Sequence, residues 1–245
     1  MSSDEKDEKS HKNQSEGTTA KEPRGARRKR ATRQKLINAG LALMSERGKN
    51  GVSINEITEA ADVGFGSFYN HFESKDAIYD ALIEEVLNSI GDAIEVATNK
   101  LEDPAAILAT AIRNVMNHAQ RNPVWGRFLL RTAYSSEVLT LGMGKYMMND
   151  LLRGMDANRF NVNDPVMAFL TVGGTVLSAL ALSIELNEST TNPTKNNAVQ
   201  VANGLGYSLE NLDQRTASSV LQILGLSVEE ADTIANAPLP DIKDQ

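Results

Sequence analysis

The sequence predicts an all-α protein in which a small helix-turn-helix module precedes a larger helical body. Three observations predict it. Apolar residues recur at helical spacing along most of the chain, and no alternating strand pattern competes with them. Asp103-Pro104, Asn122-Pro123 and Asp164-Pro165 each place an N-cap residue before a proline suited to the first helical position. The stretch Ser53–Asp76 reads as a short helix, a tight turn, a second short helix rich in aromatic residues, and the capped start of a third.

Composition narrows the function. The chain has 245 residues and no cysteine, which removes disulfide frameworks and thiolate metal sites and fits a reducing cytoplasm. Its start, MSSDEKDEKSHKNQSEG, holds no apolar run that would serve as a signal peptide. The formal net charge is −7, but it is unevenly spread: −2 over residues 1–20, +5 over 21–75 and −10 over 76–245. A basic block joined to an acidic body points to one part that approaches a polyanion and another that does not.

Taken in order, the first twenty residues are too polar to offset their ordering entropy, and a disordered tail is expected. A cationic cluster follows, with Arg27, Arg28, Lys29 and Arg30 leading toward the first helix, and is read as a DNA-contacting arm. Leu36, Ile37, Gly40, Leu41, Leu43 and Met44 set an amphipathic helix over about 31–47, which Gly48 stops. Ser53 and Glu56 form a capping box, and the helix it starts turns Ile54, Ile57, Ala60 and Ala61 inward. Asp62-Val63-Gly64 is the turn.

The next helix is expected over about 65–72. At 100° per residue Phe68 and Phe72 share one face, which should anchor in the core. Gly66, Ser67, Asn70 and Phe65 are left to face base edges, where Asn pairs with adenine and an apolar ring meets a thymine methyl. Tyr69, His71, Ser53 and Lys75 are better placed for phosphates. Each has a packing alternative, strongest for Phe65 and Tyr69.

This segment resembles the N-terminal domain of the TetR family of bacterial transcriptional regulators. The residues that carry the resemblance are Ile57, Ala60, Ala61, Val63, Gly66, Ser67, Tyr69, Asn70, His71, Phe72, Ser74 and Lys75, within roughly residues 31–78. Asp62 stands where glycine is usual, and Gly64 where Ser or Thr often caps the recognition helix. The resemblance implies a ligand-responsive regulator, usually a repressor. It would bind a palindromic double-stranded operator as a homodimer and be released by a small-molecule effector. The expected domains are a polar tail with the basic arm (1–26), the helix-turn-helix domain (27–76) and a helical effector-binding and dimerisation domain (77–245).

In the body, a long helix is expected from Ser74 to about Asn99, then helices at the three proline caps, one over 137–159 and others at Thr216–Leu224 and after Ser227. Residues 187–213 read as a short helix between loops. Residues 165–184 carry no charge and are long enough to span a bilayer. Acidic flanks and a Gly, Ser, Thr and Ala interior argue against a membrane partner.

The family's subunit contact implies a dimer interface at Gly173, Gly174, Ser178, Ala181, Val220 and Leu224, with burial in the chain's own core as the alternative. The family's pocket implies an apolar or aromatic effector, with Met116, Trp125, Phe128, Tyr134, Met147 and Phe169 as candidate walls. Core packing explains those residues equally. Arg113, His118, Arg127 and Arg131 could orient a polar group.

Other classes fare worse. Three histidines, no Glu-x-x-His pair, no nucleophile elbow and no phosphate loop argue against an enzyme, a metal site or a cofactor. A helical adaptor that binds protein instead of DNA is the remaining alternative.

Overall fold

The computed structural model describes residues 23–133, 143–189, 200–201, 204–206 and 209–240. Among them there is no strand, as expected. Helix α1 spans Arg24–Arg47, seven residues earlier than the apolar periodicity indicates. Pro23 precedes it, and the Arg, Lys and Ala that follow are good helix formers, so the chain winds before it has anything to bury. The basic cluster is therefore two turns of exposed helix, so the basic arm expected there is helical from Arg24 onward. Gly48, at φ 70°, ends α1 and donates its N–H to Met44 O.

After a 3-10 turn at Lys49–Gly51 come α2 (Ile54–Ala60) and α3 (Phe65–Phe68). The capping box is present in full: the Ser53 hydroxyl accepts from Glu56 N–H and the Glu56 carboxylate accepts from Ser53 N–H. Asp62 adopts φ 53°, the left-handed conformation that a short polar side chain tolerates. The recognition element is shorter as an α-helix than expected. Past Phe68 the chain tightens, with Asn70 N–H on Ser67 O and His71 N–H on Phe68 O, so residues 69–71 wind as turns.

Helix α4 (Lys75–Leu82), a π turn (Ile83–Leu87) and α5 (Asn88–Thr98) form the expected long helix, with a wider turn inside it. Ser74 caps α4 by accepting from Ala77 N–H. Gly40 of α1 lets α4 approach: a Cβ there would lie 3.3 Å from Ile78 Cδ1. Leu36, Ile37, Met44, Ile57, Phe68, Ile78 and Leu82 fill the core so formed.

The body follows as α6 (Pro104–Arg121), α7 (Pro123–Thr132), α8 (Met143–Asp156), α9 (Pro165–Ser189), α10 (Leu212–Ile223) and α11 (Val228–Ala235). Asp103 caps α6, Asp164 caps α9 and Ser227 caps α11. Helix α6 lies at the centre, packed on α5, α7, α8, α9, α10 and α11. Its apolar face meets Leu151, Leu180, Val220, Leu221 and Leu224 in one buried core.

Arg159 closes the far end, donating to both Asp103 carboxylate oxygens and to Glu230. The first part of the helix expected over 137–159, and most of 187–213, lie outside the described residues.

Candidate functional site

The reader's outward face is built on a buried aromatic pair. Phe68 is 0% and Phe72 4% exposed, whereas Phe65 and Tyr69 are 51% and 52% exposed. Two rings left half in water are the informative observation, since such surface is normally buried. They hold each other edge to face at 5.5 Å between centroids. Gly66 and Asn70 are exposed beside them, and Ser67, His71 and Lys75 are half-buried. Helical spacing thus resolves the segment into an inner and an outer set.

The surrounding charges are partly committed. Arg33 forks onto Glu85 and lies 5.0 Å from the Phe72 ring centroid, so it fastens α1 to the π turn. Arg47 pairs with Glu56 at 2.6 Å, and Lys49 with Asp76 at 2.8 Å. Arg47, with the Ser53 bonds behind it, holds the Glu56 carboxyl down to about 2. Arg27, Arg28, Lys29 and Arg30 are exposed along the first turns of α1. Burial, then the nearby charges of Lys29 and Arg33, lower the pKa of His71 and keep its imidazole neutral at neutral pH. The basic turns of α1 therefore flank the aromatic face.

Two residues expected at phosphates are occupied within the chain. Ser53, expected near a phosphate, donates its single hydroxyl proton to Glu56 Oε2 at 2.7 Å. Lys75 donates to Val52 O at 3.0 Å, which pins the start of α4 to the chain entering α2. Two of its three N–H groups remain for another acceptor.

A second candidate site lies in the body. A cavity of about 680 Å³, within the range of small-molecule pockets, lies between α5, α6, α7, α8 and α9 and opens to solvent. Leu108, Ile112, Phe169 and Leu177 give it apolar walls. Glu95, Asn99, Asn149, Asp150 and Arg153 are among its polar lining residues. Gly91 lets the Tyr146 ring lie against α5, where a Cβ would come within 2.6 Å of it, and the Tyr146 hydroxyl donates to Asp92. That bond, then burial, pushes the phenol up to about 12. Burial pushes the Asp150 carboxyl up to about 6; Arg153 opposes this and Glu95 reinforces it.

Of the expected pocket residues, Met147 and Phe169 line this cavity. Met116, Trp125 and Phe128 do not: they are buried in the core, where their volume packs α6 and α7. Tyr134 lies outside the described residues.

Arg113 is also corrected, being held by Asp213 and Ala237 O. Arg131 faces α1, donating to Ser45 O and Glu46 O. His118 sits edge to face on Trp125 at 4.7 Å.

Of the expected interface residues, Ser178 and Ala181 are exposed on α9, and Gly173 and Gly174 border the cavity. Val220 and Leu224 are fully buried in the chain's own core, a correction that follows from α10 packing on α6.

Glu95, Tyr146, Asp150 and Arg153 were not anticipated. The signal was present in α8, where Tyr146, Asp150 and Arg153 fall at i, i+4 and i+7 beside Met147, a stripe that mixes charge with apolar residues.

Comparison with known proteins agrees with this geometry. Residues 36–82 match the family described as bacterial regulatory proteins, tetR family, and residues 103–211 match the tetracyclin repressor-like C-terminal domain. Among solved structures, RolR in complex with the ligand resorcinol is 30% identical with a TM-score of 0.62, covering 89% of this chain and all of that one. Among curated relatives, the HTH-type transcriptional repressor DhaR of Mycobacterium sp. (strain GP1) is 37% identical over 82 residues, 34% of this chain and 40% of DhaR. The transcriptional regulator AcuR of Cereibacter sphaeroides is 45% identical over 62 residues, 25% of this chain and 28% of AcuR. The chain thus spans well under half the length of these two curated relatives.

Proposed function

The chain belongs to the TetR family of bacterial regulators, and from that premise we propose that it is a ligand-responsive repressor that binds a palindromic operator as a homodimer. The observation that carries the reading is the outward set Phe65, Gly66, Tyr69 and Asn70, held on buried Phe68 and Phe72 and flanked by the cationic first turns of α1. Phe65 and Gly66 approach base edges with Ser67 and Asn70. Tyr69, His71, Lys75 and the α1 cations Arg27, Arg28, Lys29 and Arg30 contact phosphates.

The dimer is assigned to α9. Met167, Leu170, Gly174, Ser178 and Ala181 form an exposed stripe along it, and Ile223 at the end of α10 is exposed too. Residues 165–187 are also apolar enough to cross a membrane. Contacts of α9 with α6, α7, α8 and α10, together with the small residues of its outer stripe, favour a second copy of this chain as its cover. The protein would then work in the cytoplasm, where its operator lies.

The effector occupies the cavity. RolR carries resorcinol, which supports a small, largely apolar effector here. The cavity's walls reach the reader by two routes: α5 continues through the π turn into α4, and α7 contributes Leu129 to the cavity while Arg131 holds the end of α1. An effector that fits one setting of these helices better than the other shifts the spacing of the two readers.

The test is titration of a fluorescent duplex from the DNA upstream of the chain's own coding region, at several salt concentrations. Binding at nanomolar to micromolar protein that falls steeply with salt is expected. Asn70→Ala should relax base discrimination by about 1–3 kcal/mol. Salt-independent binding, or none, overturns the reading.

A further inference from the structure

Among the described residues, the polar groups that line the cavity come from two neighbouring helices. Glu95 and Asn99 come from α5; Asn149, Asp150, Arg153 and Asp156 come from α8. Helices α6, α7 and α9 contribute only hydrocarbon and glycine to the lining. The lining thus holds three carboxyl groups and a single guanidinium, with Glu95, Arg153 and Asp156 exposed. Asp150 is half-buried in that lining, and its carboxyl, raised by burial, meets the charges of Arg153 and Glu95 with no hydrogen bond to offset the burial. The nearest phenol on the same stripe, Tyr146, is already committed to Asp92.

A half-buried carboxyl group without a hydrogen-bond donor loses part of its water and gains no bond in return. A ligand that brings a donor restores that bond, and a bond to an ionised acceptor is among the stronger ones. A ligand ending in a carboxylate meets like charge from three acids, with Arg153 alone to offset it.

We infer that the cavity selects an apolar molecule carrying a hydrogen-bond donor, a hydroxyl or a protonated amine, which seats that donor on Asp150, and that it rejects molecules of the same body ending in a carboxylate. This rests on the reading of the cavity as the effector site. Asp150 is then the specificity-determining residue of the pocket, and the apolar walls set only the size of what enters.

The experiment compares four probes of one body, biphenyl, 4-phenylphenol, 4-phenylbenzylamine and 4-phenylbenzoate, by thermal shift and by calorimetric titration of the full chain. A ligand that binds the native state raises the melting point in proportion to its affinity. Expected is binding of the phenol and the amine at least about tenfold tighter than the benzoate. Asp150→Leu should bring the phenol and amine to the affinity that biphenyl has in the same variant.

The two donors are told apart by pH. Glu95 on α5 and Arg153 and Asp156 on α8 are the charged groups facing Asp150, with the Tyr146–Asp92 pair behind them. Between pH 5 and 7.5 the amine should bind more tightly as Asp150 ionises, and Asp150→Asn should flatten that rise.

Benzoate binding as tight as the phenol, or a donor preference that survives in Asp150→Leu, overturns the inference and leaves the cavity as a binding site. Failure of all four probes to bind overturns the cavity reading and the inference with it.

Discussion

The Trp125 indole N–H donates to the Val86 carbonyl at 3.0 Å, fastening α7 to the π turn that separates reader from body. Trp125 is buried beneath α6 and α7, and Val86 lies within Ile83–Leu87, where the long helix widens by one residue per turn. Ser89 Oγ reaches the same carbonyl at 3.1 Å. Val86 is thus the point at which a body helix grips the element leading into the reader.

Trp125→Phe keeps most of the buried ring volume and removes the indole donor. Loss of one net hydrogen bond should cost about 1 kcal/mol, seen as a melting temperature lower by about 2–4 °C. Operator affinity measured in the same variant should change, because the π turn is released. A variant that melts lower yet binds DNA unchanged would show that the grip is structural only.

Phe68 and Tyr69 are neighbours with opposite surroundings, and truncating each separates folding from recognition. Phe68→Ala empties the centre of the reader and should cost about 3–5 kcal/mol. Tyr69→Ala should leave the melting curve within about 0.5 kcal/mol of the parent and weaken operator binding. Thermal denaturation and operator titration on both variants check this. Equal stability losses would contradict the inner and outer assignment.

Asp150 makes stability depend on pH in an unusual direction. Its folded carboxyl is pushed up to about 6 from an ordinary 3.8, by burial first. Between these values the folded chain holds a proton that the unfolded chain has released, so this group's contribution to stability declines as pH rises through the window. Glu95 reinforces the rise and Arg153 opposes it. Asp150→Asn should match the parent near pH 4 and exceed it by about 1–2 kcal/mol near pH 7.5. Parallel denaturation curves at both pH values would refute this.

Gly154 is buried on α8 against the Phe160 ring, and a Cβ added there would lie 2.0 Å from two ring carbons. Phe160 is itself 4% exposed and has nowhere to withdraw. Gly154→Ala should therefore destabilise by about 1–3 kcal/mol or more through overpacking. Adding Phe160→Leu to that variant should recover part of the loss. Absence of recovery in chemical denaturation would place the cost elsewhere.

The sequence by itself determined the helical elements and the division of the reader, because both are local. A capping box, three Asp-Pro or Asn-Pro starts and a 100° repeat act within a few residues, so Ser53, Phe68 and Phe72 were legible from spacing alone. What only the tertiary structure decided is which of several equivalent surfaces meet. Trp125, Phe128 and Met116 have the composition of a pocket wall but fill the core, whereas Asp150 and Arg153 have the composition of a solvated face but line the cavity. Val220 and Leu224 look like a helix face awaiting a partner, and α6 of the same chain is that partner. Apolar side chains gain burial against any apolar neighbour, so their pattern carries no address; the neighbour is chosen by the packing of the whole chain.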